Sequence, residues 1–269
     1  MVVPAPQLVR VYHACRFGQV HVRRLPARDG DMHPLLLCLH PAPYSGAWFT
    51  TVMPLLNEGR SVIAPDYPGY GGSAPTSSPP SIEDYALAMM DVLDDMGITQ
   101  TDVLGFHSGC LVAAEMALHD DARVRRLALI DVPFFVGRER DDMHARNAVP
   151  REFTGQLSDL ADEWDGKITN RLDSMPMERA FELFVESLRS AGRSHWGFHA
   201  ALTYASDERL ALVATPARVI ATGSTLLEPT RRAARALRNA ELIERLDITR
   251  AVFEESAVTI AAEIDTALR

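Results

Sequence analysis

Lysine is almost missing from this chain. It occurs once, at Lys167, among 27 basic residues, so nearly all the positive charge is arginine. Alongside many alanines this reads as codon bias, and abundant arginine does not by itself mark a site. Cysteine is equally scarce. Cys15, Cys38 and Cys110 are odd in number and show no paired spacing, which argues against a disulfide framework and for a reducing compartment. No apolar run approaches the roughly 18 residues needed to cross a bilayer. The start, MVVPAPQLVRVYH, also lacks an apolar run of signal-peptide length. A soluble, cytoplasmic protein is expected. A basic face is lacking too: 36 acidic residues outweigh 27 basic ones, net charge −9. Nucleic acid and anionic membranes are therefore not expected partners, since both select positive surfaces. What remains is ordinary globular composition, 47% hydrophobic and 23% charged over 269 residues. That excludes a disordered or collagen-like chain and suits one large α/β domain.

Residues 8–17 and 19–26 read as a pair of strands broken at Gly18. In the second, Val20 and Val22 alternate with His21 and Arg23, the pattern of a half-solvated antiparallel strand. Three continuous apolar runs follow, PLLLCLH (34–40), SVIAPDY (61–67) and TDVLGFH (101–107). Such runs suit strands covered on both faces of a parallel sheet. Ser81 is placed to cap a helix carrying Ile82, Tyr85, Met89 and Leu93 on one face, with Gly97 as its stop. Residues 108–119 form a helix apolar nearly all round, hence buried. A strand is expected over 125–133. The alternation then lapses for roughly 65 polar, helical residues, too many for a structureless loop. It resumes with strands at 217–223 and 241–247 and helices at 229–237 and 256–268. Two antiparallel strands followed by βα units predict a doubly wound α/β sheet.

Four segments carry a resemblance. LLLCLHPAPYSGAWF, APDYPGYGGSAP, DVLGFHSGCLVAAEMAL and VRRLALIDVPFF stand in the order and spacing of the α/β-hydrolase fold family. In that family they are the oxyanion loop, the loop after the next strand, the nucleophile elbow with its helix, and the strand before the cap. The resemblance runs from about Val9 to Leu268. It implies a mostly parallel eight-stranded sheet, with a core of residues 1–133 and 198–269 and an inserted helical cap at 134–197.

The site implied by the resemblance is non-standard. The elbow pattern Gly-x-nucleophile-x-Gly falls on Gly105-Phe106-His107-Ser108-Gly109, which puts His107 at the tip. A frame with Ser108 at the tip would be flanked by Phe106 and Cys110 and would lose the small residues the turn needs. Where the family places its acid the chain reads Ser224-Thr225-Leu226-Leu227. Where the family places its histidine stands Arg250, and no histidine follows His199. A Ser-His-acid triad cannot be assembled in the usual places. His107, kept neutral by the helix N-terminus behind it, is the candidate base or nucleophile. Asp131, at the end of the neighbouring strand, is positioned to orient it, as in some members of the fold. The backbone N–H groups of Ser108 and Ala42 form the expected oxyanion hole; Pro41 has no N–H to offer. His40, Tyr44, Arg250 and Trp196 are candidate substrate-binding residues. Arg250 is suited to an anionic group by its guanidinium. HWGFH carries i, i+4 histidines without a third ligand, so no metal is expected, and no cofactor. These features imply an enzyme cleaving an ester, acyl or C–C bond in a small organic molecule. The alternative is an inactive hydrolase-like protein that binds a small ligand.

Overall fold

The computed structural model describes residues 7–150, 152 and 154–269. The strands are β1 (Val9–Cys15), β2 (Gly18–Leu25), β3 (Leu35–Leu39), β4 (Val62–Pro65), β5 (Thr101–Phe106), β6 (Val124–Ile130), β7 (Ala217–Thr222) and β8 (Ala240–Arg245). They form one eight-stranded sheet in the order β1-β2-β4-β3-β5-β6-β7-β8. β2 runs antiparallel to both neighbours, and the remaining pairs are parallel. This is the doubly wound, mostly parallel sheet expected. β3, β4 and β5 are buried at every position, as continuous apolar runs require.

The helices are α1 (Met53–Leu56), α2 (Ile82–Asp95), α3 (Ser108–His119), α4 (Gly137–Asn147), α5 (Ser158–Lys167), α6 (Met177–Arg189), α7 (Ser194–Thr203), α8 (Ser206–Leu210), α9 (Leu227–Ala236) and α10 (Ala257–Leu268). α2 begins at a reciprocal cap. The Ser81 hydroxyl accepts from Asp84 N–H, and the Asp84 carboxylate accepts from Ser81 N–H; such caps typically contribute ~1 kcal/mol. α2 and α3 cover one face of the sheet in a cluster with Leu37, Leu39 and Val103. α10 covers the other, where Ile260 and Ile264 meet Leu36, Leu104 and Ile220.

The half-solvated reading of β2 is corrected. His21 and Arg23 are 6% and 3% exposed. Asp66, at the end of β4, draws both inward: its carboxylate accepts from His21 Nδ1 at 2.8 Å and Arg23 Nη1 at 2.5 Å. Gly46 and Gly72 N–H groups donate to the same carboxylate at 2.8 Å each. Burial pushes the Asp66 carboxyl up, but these hydrogen bonds and charges outweigh it and hold it below the usual range. Gly71, at φ +51°, belongs to the same turn; a Cβ there would stand 2.1 Å from Asp66 Oδ2.

The segment between β6 and β7 contains helices and no strand among its described residues. Its last long helix, α7, continues past Gly197 and lies hard against the loop after β3. A Cβ on Gly197 would stand 2.3 Å from Ala42 Cβ, and its N–H donates to Tyr70 Oη at 2.7 Å.

Candidate active site

β5 ends at Phe106 and α3 begins at Ser108, leaving His107 alone in the turn with φ 50° and ψ −121°. A non-glycine residue there is strained by roughly 1–3 kcal/mol and needs outside support. Its N–H donates to Ile130 O at 3.0 Å, and its carbonyl accepts from Cys110 N–H at 2.9 Å. The flanking glycines are sterically dictated. A Cβ on Gly105 would stand 2.7 Å from Cys110 Cα, and one on Gly109 2.1 Å from Leu39 O. Only a glycine at each position lets α3 sit this close to β3 and β5.

The His107 side chain lines two adjoining cavities, one of about 680 Å³ and one of about 240 Å³. Trp48, Phe106, His107 and Arg171 belong to both walls and so mark their junction. The larger cavity is roofed by residues from α4 to α7, among them Lys167, Leu188 and Phe198. Neither His107 ring nitrogen has a hydrogen-bond partner among the described residues. Loss of water lowers the imidazole's pKa from its usual value, and the charge of Asp131 opposes this only in part. The ring is therefore neutral at neutral pH, with a lone pair available.

Asp131 is 1% exposed and lines the smaller cavity. It does not hold the imidazole by a hydrogen bond, as its expected orienting role requires. Thr222 takes both carboxylate oxygens, through its N–H at 2.9 Å and its hydroxyl at 2.7 Å. Asp131 acts on His107 only through its charge. Ala42 N–H, the expected oxyanion donor, donates instead to the Ser108 hydroxyl at 2.9 Å. Ser108 N–H stands in the first turn of α3, which no side chain caps, so this donor faces no intrahelical acceptor.

The expected binding residues divide. Tyr44 lines the larger cavity, and its hydroxyl accepts from Arg171 Nη2 at 2.8 Å. His40 is 0% exposed, and the backbone takes both its ring nitrogens. Nδ1 donates to Pro41 O at 3.0 Å and Nε2 accepts from Tyr67 N–H at 3.0 Å. Burial pushes its pKa down to about 4. His40 is a strut of the loop, which corrects its placement as a binding residue. Trp196 is corrected too: its neighbours Ser194, His195 and Phe198 line the larger cavity, while Trp196 itself lines neither. Arg250 lines the smaller cavity but is half exposed and ion-pairs with Asp173 at 3.5 Å. His199, of the HWGFH pair, meets His144 at 2.9 Å. Among the described residues no cluster of three or more His, Cys, Asp or Glu is arranged to hold a metal.

Sequence reasoning missed Trp48, Arg171, Thr222 and Glu254, all in the smaller cavity's wall. Burial raises the Glu254 carboxyl, although Arg179 bonds it at 3.2 Å and opposes the shift. Trp48 lies in the LLLCLHPAPYSGAWF segment without being singled out there, and the other three stand in none of the four segments. Only the three-dimensional assembly brings them to His107.

An α/β-hydrolase-fold family model matches residues 34–172, over half the chain. The chain belongs to the α/β-hydrolase fold family. Within it, the chain is 36% identical over 107 residues to bifunctional epoxide hydrolase 2 of Mus musculus, covering 38% of this chain and 19% of that protein. It thus spans only about a fifth of that relative's length. It is 35% identical over 105 residues to 2-hydroxymuconate semialdehyde hydrolase of Pseudomonas sp. (strain CF600), covering 38% and 37%. Among solved structures, the fold resembles the enol-lactonase of Burkholderia xenovorans LB400, with TM-score 0.78, 19% identity and coverage of 96% and 99%. It also resembles a hydrolase from Pseudomonas aeruginosa PA01, with TM-score 0.79, 20% identity and coverage of 96% and 98%. At such identities the likeness shows the fold. No helix among the described residues is long and apolar enough to cross a membrane.

Proposed function

We propose that this family member is an enzyme that cleaves an ester, acyl or C–C bond in a small organic substrate, with His107 as its base. The single observation that carries the reading is the His107 imidazole at the tip of a strained strand-to-helix turn, neutral and unpartnered, facing both cavities. Residues 134–197 act as the cap. In hydrolysis, His107 takes a proton from water while the water oxygen bonds to the substrate carbonyl carbon. The carbonyl π electrons move onto oxygen. Ser108 N–H supports that oxyanion, joined by the Ser108 hydroxyl, whose oxygen Ala42 N–H already holds and whose proton is left to donate. Collapse expels the leaving group, which takes the proton back from His107. No cofactor is needed for these steps.

One arrangement favours a second reading, a ligand-binding protein without turnover: Ser108 occupies the Ala42 donor and Thr222 occupies Asp131. Hydrolysis of short p-nitrophenyl esters separates the two. His107→Ala is expected to lower turnover about 10²- to 10⁴-fold. Equal rates in both proteins overturn the His107 reading. No turnover in either, with a ligand that still raises the unfolding temperature, supports binding alone. Fluorophosphonates are expected to label Ser108 poorly, since it lies off the tip; stoichiometric labelling would make it the nucleophile.

A further inference from the structure

Arg171 stands at the junction of the two cavities beside His107. Its guanidinium lies over the Tyr44 and Trp48 rings, with its carbon 5.6 and 5.4 Å from their centroids. Nη2 donates to Tyr44 Oη, while Nη1 is buried and has no hydrogen-bond partner among the described residues. A buried charged donor without an acceptor costs its desolvation unreturned, typically ~1–3 kcal/mol or more. The neighbouring carboxylates are already engaged: Glu163 pairs with Lys167, and Glu254 bonds to Arg179. Arg250, the arginine that the loop sequence suggested for this task, is turned toward Asp173.

We infer that Arg171 is the anion-recognising residue of this cavity and that its ligand is a small carboxylate with an apolar body. The guanidinium lies over two aromatic rings and is anchored through Nη2 to Tyr44 Oη, which leaves the buried Nη1 as the donor an acceptor must meet; a carboxylate oxygen suits such a donor. With Nη2 committed to Tyr44, the unpaired Nη1 offers one strong donor, which a carboxylate oxygen can take. Phe106, Leu188 and Phe198 supply apolar wall for the body of the ligand, beside the polar Asn147 and Lys167. A carboxylate bound here lays the adjoining part of the molecule against His107, because both residues border both cavities. The inference rests on the reading of this cavity as the ligand site, and stands whether or not His107 turns the ligand over.

Calorimetric titration with benzoate and with benzamide, its neutral isostere, tests it. The wild type is expected to bind benzoate at least about tenfold more tightly, the scale of one charge-assisted contact. Arg171→Gln is expected to bind the two alike, and Arg171→Lys to retain only part of the preference. Arg231→Gln, at a half-buried arginine that lines neither cavity, is expected to keep it whole. His107→Ala is expected to keep the benzoate preference even where it abolishes turnover, so failure of the catalytic reading and of this one are distinct outcomes. Equal binding of the two probes by the wild type, no binding of either at millimolar concentration, or an undiminished preference in Arg171→Gln overturns the inference. Should Arg171→Gln fail to fold, Arg171→Lys decides: an unchanged benzoate preference there counts against Arg171.

Discussion

His40 and His107 end adjacent parallel strands, β3 and β5, and both imidazoles are pushed toward the neutral form by the same first cause, loss of water. Their surroundings are opposite. His40 has both ring nitrogens tied to backbone, inside a loop whose other anchor, Asp66, accepts four hydrogen bonds. His107 has strained backbone, and its ring nitrogens have no hydrogen-bond partner among the described residues. The contrast teaches how a fold keeps a reactive group ready. The neighbouring loop is densely hydrogen-bonded, while the backbone of His107 is held from Ile130 and Cys110 in a conformation it would not adopt alone. A free lone pair in a cavity is then available for chemistry, whereas a satisfied one is committed to the fold.

The largest expected effect lies on the densely hydrogen-bonded side, at Asp66. Asp66→Ala leaves Arg23 buried with only a 3.4 Å contact to Glu186 and strips His21, Gly46 and Gly72 of their acceptor. A loss of roughly 3–5 kcal/mol is expected in denaturant unfolding, the usual penalty for halving a buried ion pair. A loss below 1 kcal/mol would mean that the network is not what holds the loop.

The next effect is one of pH. His40 has a folded pKa of about 4, below the value of about 6.5 in the unfolded chain. Between these values the unfolded state binds the extra proton, so stability is full above about pH 6.5 and falls as pH drops toward 4. From pH 7 to pH 5 this one group removes about 2 kcal/mol, visible as a lower midpoint in urea. His40→Gln, which loses stability at pH 7, is expected to flatten that slope; an unchanged slope assigns it elsewhere.

At the strained side the sign reverses. His107→Gly relieves a positive-φ position and is expected to stabilise the fold by up to about 1 kcal/mol while removing the base. Stability and activity would then move in opposite directions at one residue. A clearly destabilised glycine variant would show that the ring packs for the fold, as the His40 ring does. The smallest effect belongs to Arg250. Its pair with Asp173 is exposed and 3.5 Å long, and Arg250→Ala is expected to change stability by less than roughly 0.5 kcal/mol.

Much of the architecture was legible because it is written in local periodicity. β3, β4 and β5 fall within the apolar runs at 34–40, 61–67 and 101–107, and α2 follows Ser81 as its spacing requires. β2 was misjudged at His21 and Arg23, because the residue that buries them, Asp66, lies more than forty positions away. His107 was legible as an exception within a motif whose glycines have a steric reason. Trp196 was not, since helical spacing alone does not say which side of α7 meets the cavity.

The sequence by itself determined the order of strands and helices, the turn at Gly105–Gly109 and the residue at its tip. The order of the elements depends on neighbours within a few positions, through hydrophobic period and capping, and the turn is marked by its two glycines, although Gly109 owes its need to Leu39 across the sheet. Only the tertiary structure decided who meets whom at that tip. It engaged Asp131 with Thr222, placed the Ser108 hydroxyl on Ala42 N–H, tied His40 to the backbone, and brought Arg171 from the helical segment to face His107. Apart from the His40–Pro41 contact, such pairings join residues tens of positions apart. Their physical basis is the competition of every buried polar group for a partner, which is settled only when all the elements are in place.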